Sequence, residues 1–104
     1  MKVLVTGANG FVGRTLCAHL EQSGCTVVRA VRSTDSPWEF PVGAIDGATP
    51  WGPALGSGVE AVVHLAAQAA LADQSLAALA RLRELNVAGT VNLARQCARM
   101  VCGA

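Results

Sequence analysis

Apolar residues fall along this chain in two distinct spacings. Lys2-Val3-Leu4-Val5-Thr6 is a nearly continuous apolar run closed by Gly7. A run without alternation suits a parallel strand buried on both faces. Thr26-Val27-Val28-Arg29-Ala30-Val31-Arg32 is a second, β-branched run, Val42 to Ile45 a weaker third, and Ala61-Val62-Val63-His64-Leu65 a fourth. Between the first two runs the spacing lengthens. Val12, Leu16 and Leu20 share one face of a helix expected over Phe11 to Ser23, with Gly24 just past its end, where helices take a glycine. Ser33 to Pro41, rich in Ser, Thr, Asp and Pro, reads as loop with a turn around Pro37 to Glu39, and Asp46 to Pro53 reads as loop again. A short helix is expected from about Trp51 to Leu55. A long one, capped by Asp73 or Ser75, is expected to reach about Arg99. Its leucines and alanines spread apolar surface widely, as in a helix covered on more than one side. Gly89 in its interior disfavours helix by about 1 kcal/mol relative to Ala, so another element is expected to approach closely there.

Strands alternating with helices argue for a parallel sheet with helices on both faces. Right-handed crossovers give the strand order 3-2-1-4. The expectation is therefore an α/β, Rossmann-type sheet of about four strands. At 104 residues the chain holds a single domain, spanning 1–104.

Composition narrows the function. Apolar residues make up 52% and charged residues 14%, which excludes a disordered charged tail. The net charge of +1 has no basic cluster behind it, so nucleic acid is not an expected partner. No apolar run is long enough to span a membrane or to serve as a secretory signal, so the expected compartment is the cytoplasm. Cys17, Cys25, Cys97 and Cys102 lack metal-ligand spacing, and with His19 and His64 far apart no zinc site is expected. There is no Tyr, and Lys2 is the only Lys.

The chemistry sits in Thr6-Gly7-Ala8-Asn9-Gly10-Phe11-Val12-Gly13. It follows a strand and opens a helix, the setting in which a glycine-rich turn holds a dinucleotide. Gly7 lets the chain leave the strand in a tight turn. Gly10 lets backbone approach a diphosphate. Gly13 lets the helix pack on the first strand. N–H groups near Gly10, Phe11 and Val12, with the helix dipole, favour the negative charge. The end of the second strand reads the adenosine ribose. A carboxylate there would favour NAD, but the chain has Val31-Arg32-Ser33, and the Arg32 guanidinium suits a 2′-phosphate. NADP is accordingly favoured slightly over NAD.

Taken in order, these residues resemble the extended short-chain dehydrogenase/reductase family, the nucleotide-sugar epimerases and dehydratases. The likeness rests on the glycine turn, Asp46 after the third strand, His64-Leu65-Ala66-Ala67 ending the fourth, and Asn86-Val87-x-Gly89-Thr90-x-Asn92-Leu93 in the long helix. It covers Met1 to about Met100. It implies that Asp46 accepts the adenine amino group and that the next N–H, of Gly47, meets a ring nitrogen. Gly47 stands where the family has an aliphatic residue. It also implies that Leu65, Ala66 and Ala67 pass under the ribose and diphosphate. His64 reads as a packed strand-end residue. Asn86 matches the helix Asn that in related enzymes organises active-site water and backbone, and its other reading, the favoured one, is a hydrogen-bonding anchor between helix and sheet.

The family places a Ser or Thr and a Tyr-x-x-x-Lys pair beyond this point, and neither part of that pair is here. The expected function is therefore the dinucleotide-binding part of an NAD(P)-dependent nucleotide-sugar epimerase or dehydratase. On this reading the chain has no catalytic residue of its own and no substrate domain, and the sugar nucleotide is a partner only of a full-length parent. The alternative is a non-catalytic nucleotide-binding or interaction module acting through a partner. Loss of a fifth strand would leave the fourth as an edge, so a homo-oligomer through that edge or the long helix is expected.

Overall fold

The computed structural model describes residues 1–66 and 75–102, with side chains as far as residue 99. The apolar runs form β1 (Lys2–Thr6), β2 (Thr26–Val31) and β4 (Ala61–His64), and β3 is Glu39–Pro41. All pairings are parallel, in the order β3-β2-β1-β4. The expected Rossmann-type topology is thus the observed one.

Alternation along β1 divides the core. Val3 and Val5 face α1 (Phe11–Gln22), where Cys17 is buried and Leu16 and Leu20 pack against the same cluster. Leu4, with Ala30 of β2, faces Trp51, Ala54, Leu55 and Leu93. Those residues belong to or flank α2 (Gly52–Leu55) and α4 (Gly89–Cys102). One sheet, covered on both sides, therefore has two apolar layers, and β1 lies between them.

The long helix begins as α3 (Leu76–Arg83), passes through a π-helical stretch at Glu84–Ala88, and continues as α4. Ser75 caps it, its side chain accepting from the Ala78 N–H at 3.2 Å. Asp73, the other expected cap, lies outside the described residues. The Gly89 N–H reaches back to the Glu84 carbonyl, the five-residue span of a π turn. A Cβ on Gly89 would lie 2.9 Å from the Ile45 carbonyl oxygen, so the expected close approach is to the loop after β3.

Two expectations are corrected. The third strand is Glu39–Pro41 and not Val42 to Ile45. The return from β2 is short enough to bring Glu39 opposite Arg29. Val42 and Gly43 extend the ladder only through N–H bonds to Val31 and Arg32, at 2.8 and 2.9 Å, before Gly43 turns at φ 69°. Pro41 is tolerated because alternate residues face the same way, so its missing donor lies on the open edge. Among the described residues the long helix is covered on one side: Leu76, Leu79, Val87 and Val91 are exposed.

Candidate nucleotide cleft

The glycine turn is built by close contact. Gly7 has φ 66°, and a Cβ there would stand 2.9 Å from the Ala66 nitrogen. A Cβ on Gly13 would stand 2.2 Å from the Gly7 carbonyl oxygen and 2.9 Å from the Ala8 Cα, so α1 can seat on β1 only through a glycine. Gly10 differs from its sequence reading. Its N–H donates to the Gly7 carbonyl at 3.1 Å and closes the turn. Gly10 therefore offers a bare Cα rather than a donor. It is the N-cap of α1, with no side-chain cap, so the N–H groups of Phe11, Val12 and Gly13 have no carbonyl in the helix to bond. The Phe11 side chain is 92% exposed and that of Val12 61%, so both residues serve the turn through backbone.

A cleft of about 280 Å³ opens beside this turn. Gly7, Asn9 and Gly10 form its floor, and Arg32 stands at the end of β2. Leu65 and Ala66 form one wall. Among the residues expected at the site, the structure brings these six together. Asp46 and Gly47 flank the cleft through Ile45, which lines it, and do not line it themselves. Asp46 Oδ1 accepts the Ala48 N–H at 2.8 Å and closes its own turn. The Asn92 amide bonds the carbonyls of Asp46 and Thr49, holding that turn against α4. Ala67 lies outside the described residues.

Sequence reasoning left out Val31, Gly43, Ile45 and Leu85 as lining residues, and it favoured an anchor over an active-site role for Asn86, which lines the cleft. Leu85 and Asn86 reach the cleft because the π stretch turns them there, and no residue type announces an i to i+5 bond. On the far side of Asn9 a second cleft, of about 370 Å³, is lined by Arg14, Arg29, Ser33 and Thr34 among others. Arg29, read from sequence as solvated, pairs with Glu21 of α1. That partner holds the Glu21 carboxyl below its ordinary range. No ion pair involves Arg32 among the described residues.

A run of hydrogen bonds ties the cleft to the sheet. Thr6, at the end of β1, is fully buried. Its Oγ1 accepts the N–H groups of Leu65 and Ala66 at 3.0 and 3.1 Å and lies 2.6 Å from His64 Nδ1. His64 Nε2 lies 3.0 Å from Thr90 Oγ1, which donates to the Asn86 carbonyl at 2.7 Å. Burial pushes the His64 pKa down from its ordinary 6.5. Burial likewise pushes the thiols of Cys17 and Cys97 up, so they stay protonated and inert. Among the described residues no three His, Cys, Asp or Glu converge as a metal site, and no helix is long and apolar enough to cross a membrane.

A strand, a glycine turn and a helix around an open cleft have counterparts elsewhere. The family model of the NAD-dependent epimerase/dehydratase family matches residues 3–103. The chain belongs to that family. This epimerase/dehydratase-family chain is 40% identical over 99 residues to a UDP-glucose 4-epimerase of Vibrio cholerae, covering 90% of itself and 30% of the relative. A UDP-2-acetamido-2,6-beta-L-arabino-hexul-4-ose reductase of Pseudomonas aeruginosa is 69% identical over 35 residues, which are 33% of this chain and 9% of the reductase. Among solved structures, a short-chain dehydrogenase/reductase superfamily protein of Agrobacterium tumefaciens with bound NAD superposes with a TM-score of 0.67 at 32% identity. The match covers 91% of this chain and 28% of that one. A nucleoside-diphosphate sugar epimerase of Corynebacterium glutamicum gives 0.69 at 29% identity, over 90% and 19%. The family chain thus spans less than a third of each relative's length.

Proposed function

We propose that this chain is the dinucleotide-binding part of an NAD(P)-dependent nucleotide-sugar epimerase or dehydratase. The observation that carries the reading is the cradle. Gly7 and Gly13 have no room for a Cβ, and the first N–H groups of α1, which follow Gly10 of the cleft lining, have no carbonyl partner within the helix. Gly7, Asn9, Gly10, Phe11, Val12 and Gly13 hold the diphosphate. Leu65 and Ala66 run beneath it and the ribose. Asp46, whose Oδ2 makes no hydrogen bond among the described residues, takes the adenine amino group, and Gly47 offers its N–H beside it. Arg32, with no acidic partner among the described residues, holds a 2′-phosphate, which favours NADP over NAD.

A bound dinucleotide supplies reversible hydride exchange at its nicotinamide. The residues of this chain bind and orient. With no Tyr and only Lys2, none of them is assigned to proton transfer on a sugar hydroxyl. Calorimetric titration with NADP and with NAD tests the reading. NADP is expected to bind more tightly. Tighter NAD would remove the Arg32 assignment, and binding of neither would remove the whole reading. The 104-residue chain is expected to turn over no sugar nucleotide, and measurable epimerisation by the pure chain would overturn that part.

A second reading, an interaction module acting through a partner, draws on the exposed face of Leu76, Leu79, Val87 and Val91 and on β4, whose outer edge is unpaired among the described residues. Both features fit association with a second copy of the chain. Light scattering is expected to show a dimer or larger species, and a monomer at high concentration would count against it. A cytoplasmic setting belongs with the same picture, in which Cys17, Cys25 and Cys97 are free thiols.

A further inference from the structure

The hydrogen bonds around His64 allow one arrangement of protons. The Asn86 carbonyl can only accept, so the Thr90 hydroxyl proton points to it. Thr90 Oγ1 must then accept from His64, which places the ring proton on Nε2. Nδ1 is left as an acceptor and takes the Thr6 hydroxyl proton, while both lone pairs of Thr6 Oγ1 receive the N–H groups of Leu65 and Ala66. The hydroxyls of Thr6 and Thr90 and both ring nitrogens of His64 are thereby matched, and the ring is neutral.

We propose that His64 is a positioning residue. As the neutral Nε2–H tautomer it joins the Leu65–Ala66 wall of the cleft, through Thr6, to the Asn86 wall, through Thr90, and taking up a proton releases Leu65–Ala66 from β1. A proton on Nδ1 would face a Thr6 oxygen whose lone pairs are already filled. One of the two N–H bonds must then break, and both belong to the stretch that lines the cleft. Charged groups on the neighbouring elements stand aside. Lys2 is at the far end of β1, with its ammonium on the Ser57 carbonyl. Glu84 of the π stretch lies against Gly47, and Glu60 precedes β4, beside the Lys2 backbone. None of them contributes to the His64 shift, which comes from burial.

The proposal rests on the dinucleotide reading only for its effect on binding, and its test separates the two. The chain has two histidines, and the other, His19, is exposed. Nitrogen-detected NMR of the full chain without cofactor is expected to show His64 as the Nε2–H tautomer, taking up a proton only below its ordinary 6.5. As it does so, the Leu65 and Ala66 amides are expected to exchange about tenfold faster. Thr90→Val should weaken the tautomer preference, and Thr90→Ser should restore it. Dinucleotide affinity is expected to fall about tenfold between about pH 7.5 and about pH 5. Titration of His64 at or above 6.5, an Nδ1–H ring, or Leu65 and Ala66 amides indifferent to its protonation would overturn the proposal. Should those signals behave as stated while no dinucleotide binds at any pH, the positioning role stands and the dinucleotide reading falls.

Discussion

Gly10 and Gly13 carry the same letter in one motif and meet opposite surroundings. An added Cβ on Gly13 meets backbone at 2.2 Å, whereas on Gly10 the nearest atom is the Gly7 carbonyl oxygen at 3.3 Å. Gly13→Ala is therefore expected to lower unfolding stability by about 2–4 kcal/mol, read by urea denaturation, because α1 must lift from β1. Gly10→Ala should change it by less than about 1 kcal/mol yet weaken dinucleotide binding at least about tenfold, since the methyl stands where backbone meets ligand. Equal stability losses in the two variants would contradict this division. The spacing of the glycines was legible in the sequence, and so were the jobs of Gly7 and Gly13. The Gly10 N–H bond to Gly7 was not, because it depends on the backbone angles of the turn rather than on residue type.

Elements were legible where burial on both sides leaves an unbroken apolar run, as in β1, β2 and β4. The third strand escaped because it pairs on one side only, and an edge admits Glu39 and Pro41, which a central strand would refuse. The long helix showed its cap and its glycine but not its π stretch. Gly89 decides a contest between propensity and contact. Alanine gains about 1 kcal/mol of helix preference, but its methyl would lie 2.9 Å from the Ile45 carbonyl oxygen. Contact should win, so Gly89→Ala is expected to be net destabilising by about 1–2 kcal/mol on urea unfolding; a stabilised variant would show that the loop yields. Gln96 joins the same loop to α4, accepting the Trp51 N–H and donating to the Thr49 carbonyl, each at 2.8 Å. Gln96→Ala leaves the Trp51 N–H unpaired and the Thr49 carbonyl with the Asn92 amide alone, and should lower stability by about 1–3 kcal/mol by the same measurement.

For the whole molecule, acid acts through two separate groups. The folded-state pKa of His64 is below its ordinary 6.5. As pH falls through 6.5 the unfolded chain takes the proton first, so stability is complete above that value and declines below it until the folded histidine also titrates. Glu21, held below its ordinary 4.5 by Arg29, acts in the same direction in a lower window, with stability declining as pH falls below 4.5. Urea midpoints should therefore fall between about pH 7 and about pH 5.5, and His64→Asn should flatten that slope while leaving the lower window alone. Identical slopes in the two proteins would assign the upper window elsewhere. The π stretch bears on the architecture at this same scale. Its wider turn holds one residue more than a regular helix of the same rise, which rotates α3 against α4 by about 100°. Deleting a single position within Glu84–Ala88 would leave an unbroken regular helix, with Gly89 still seated on Ile45. Leu85 and Asn86 would swing off the cavity, so an entire side of the binding chamber depends on one supernumerary amino acid.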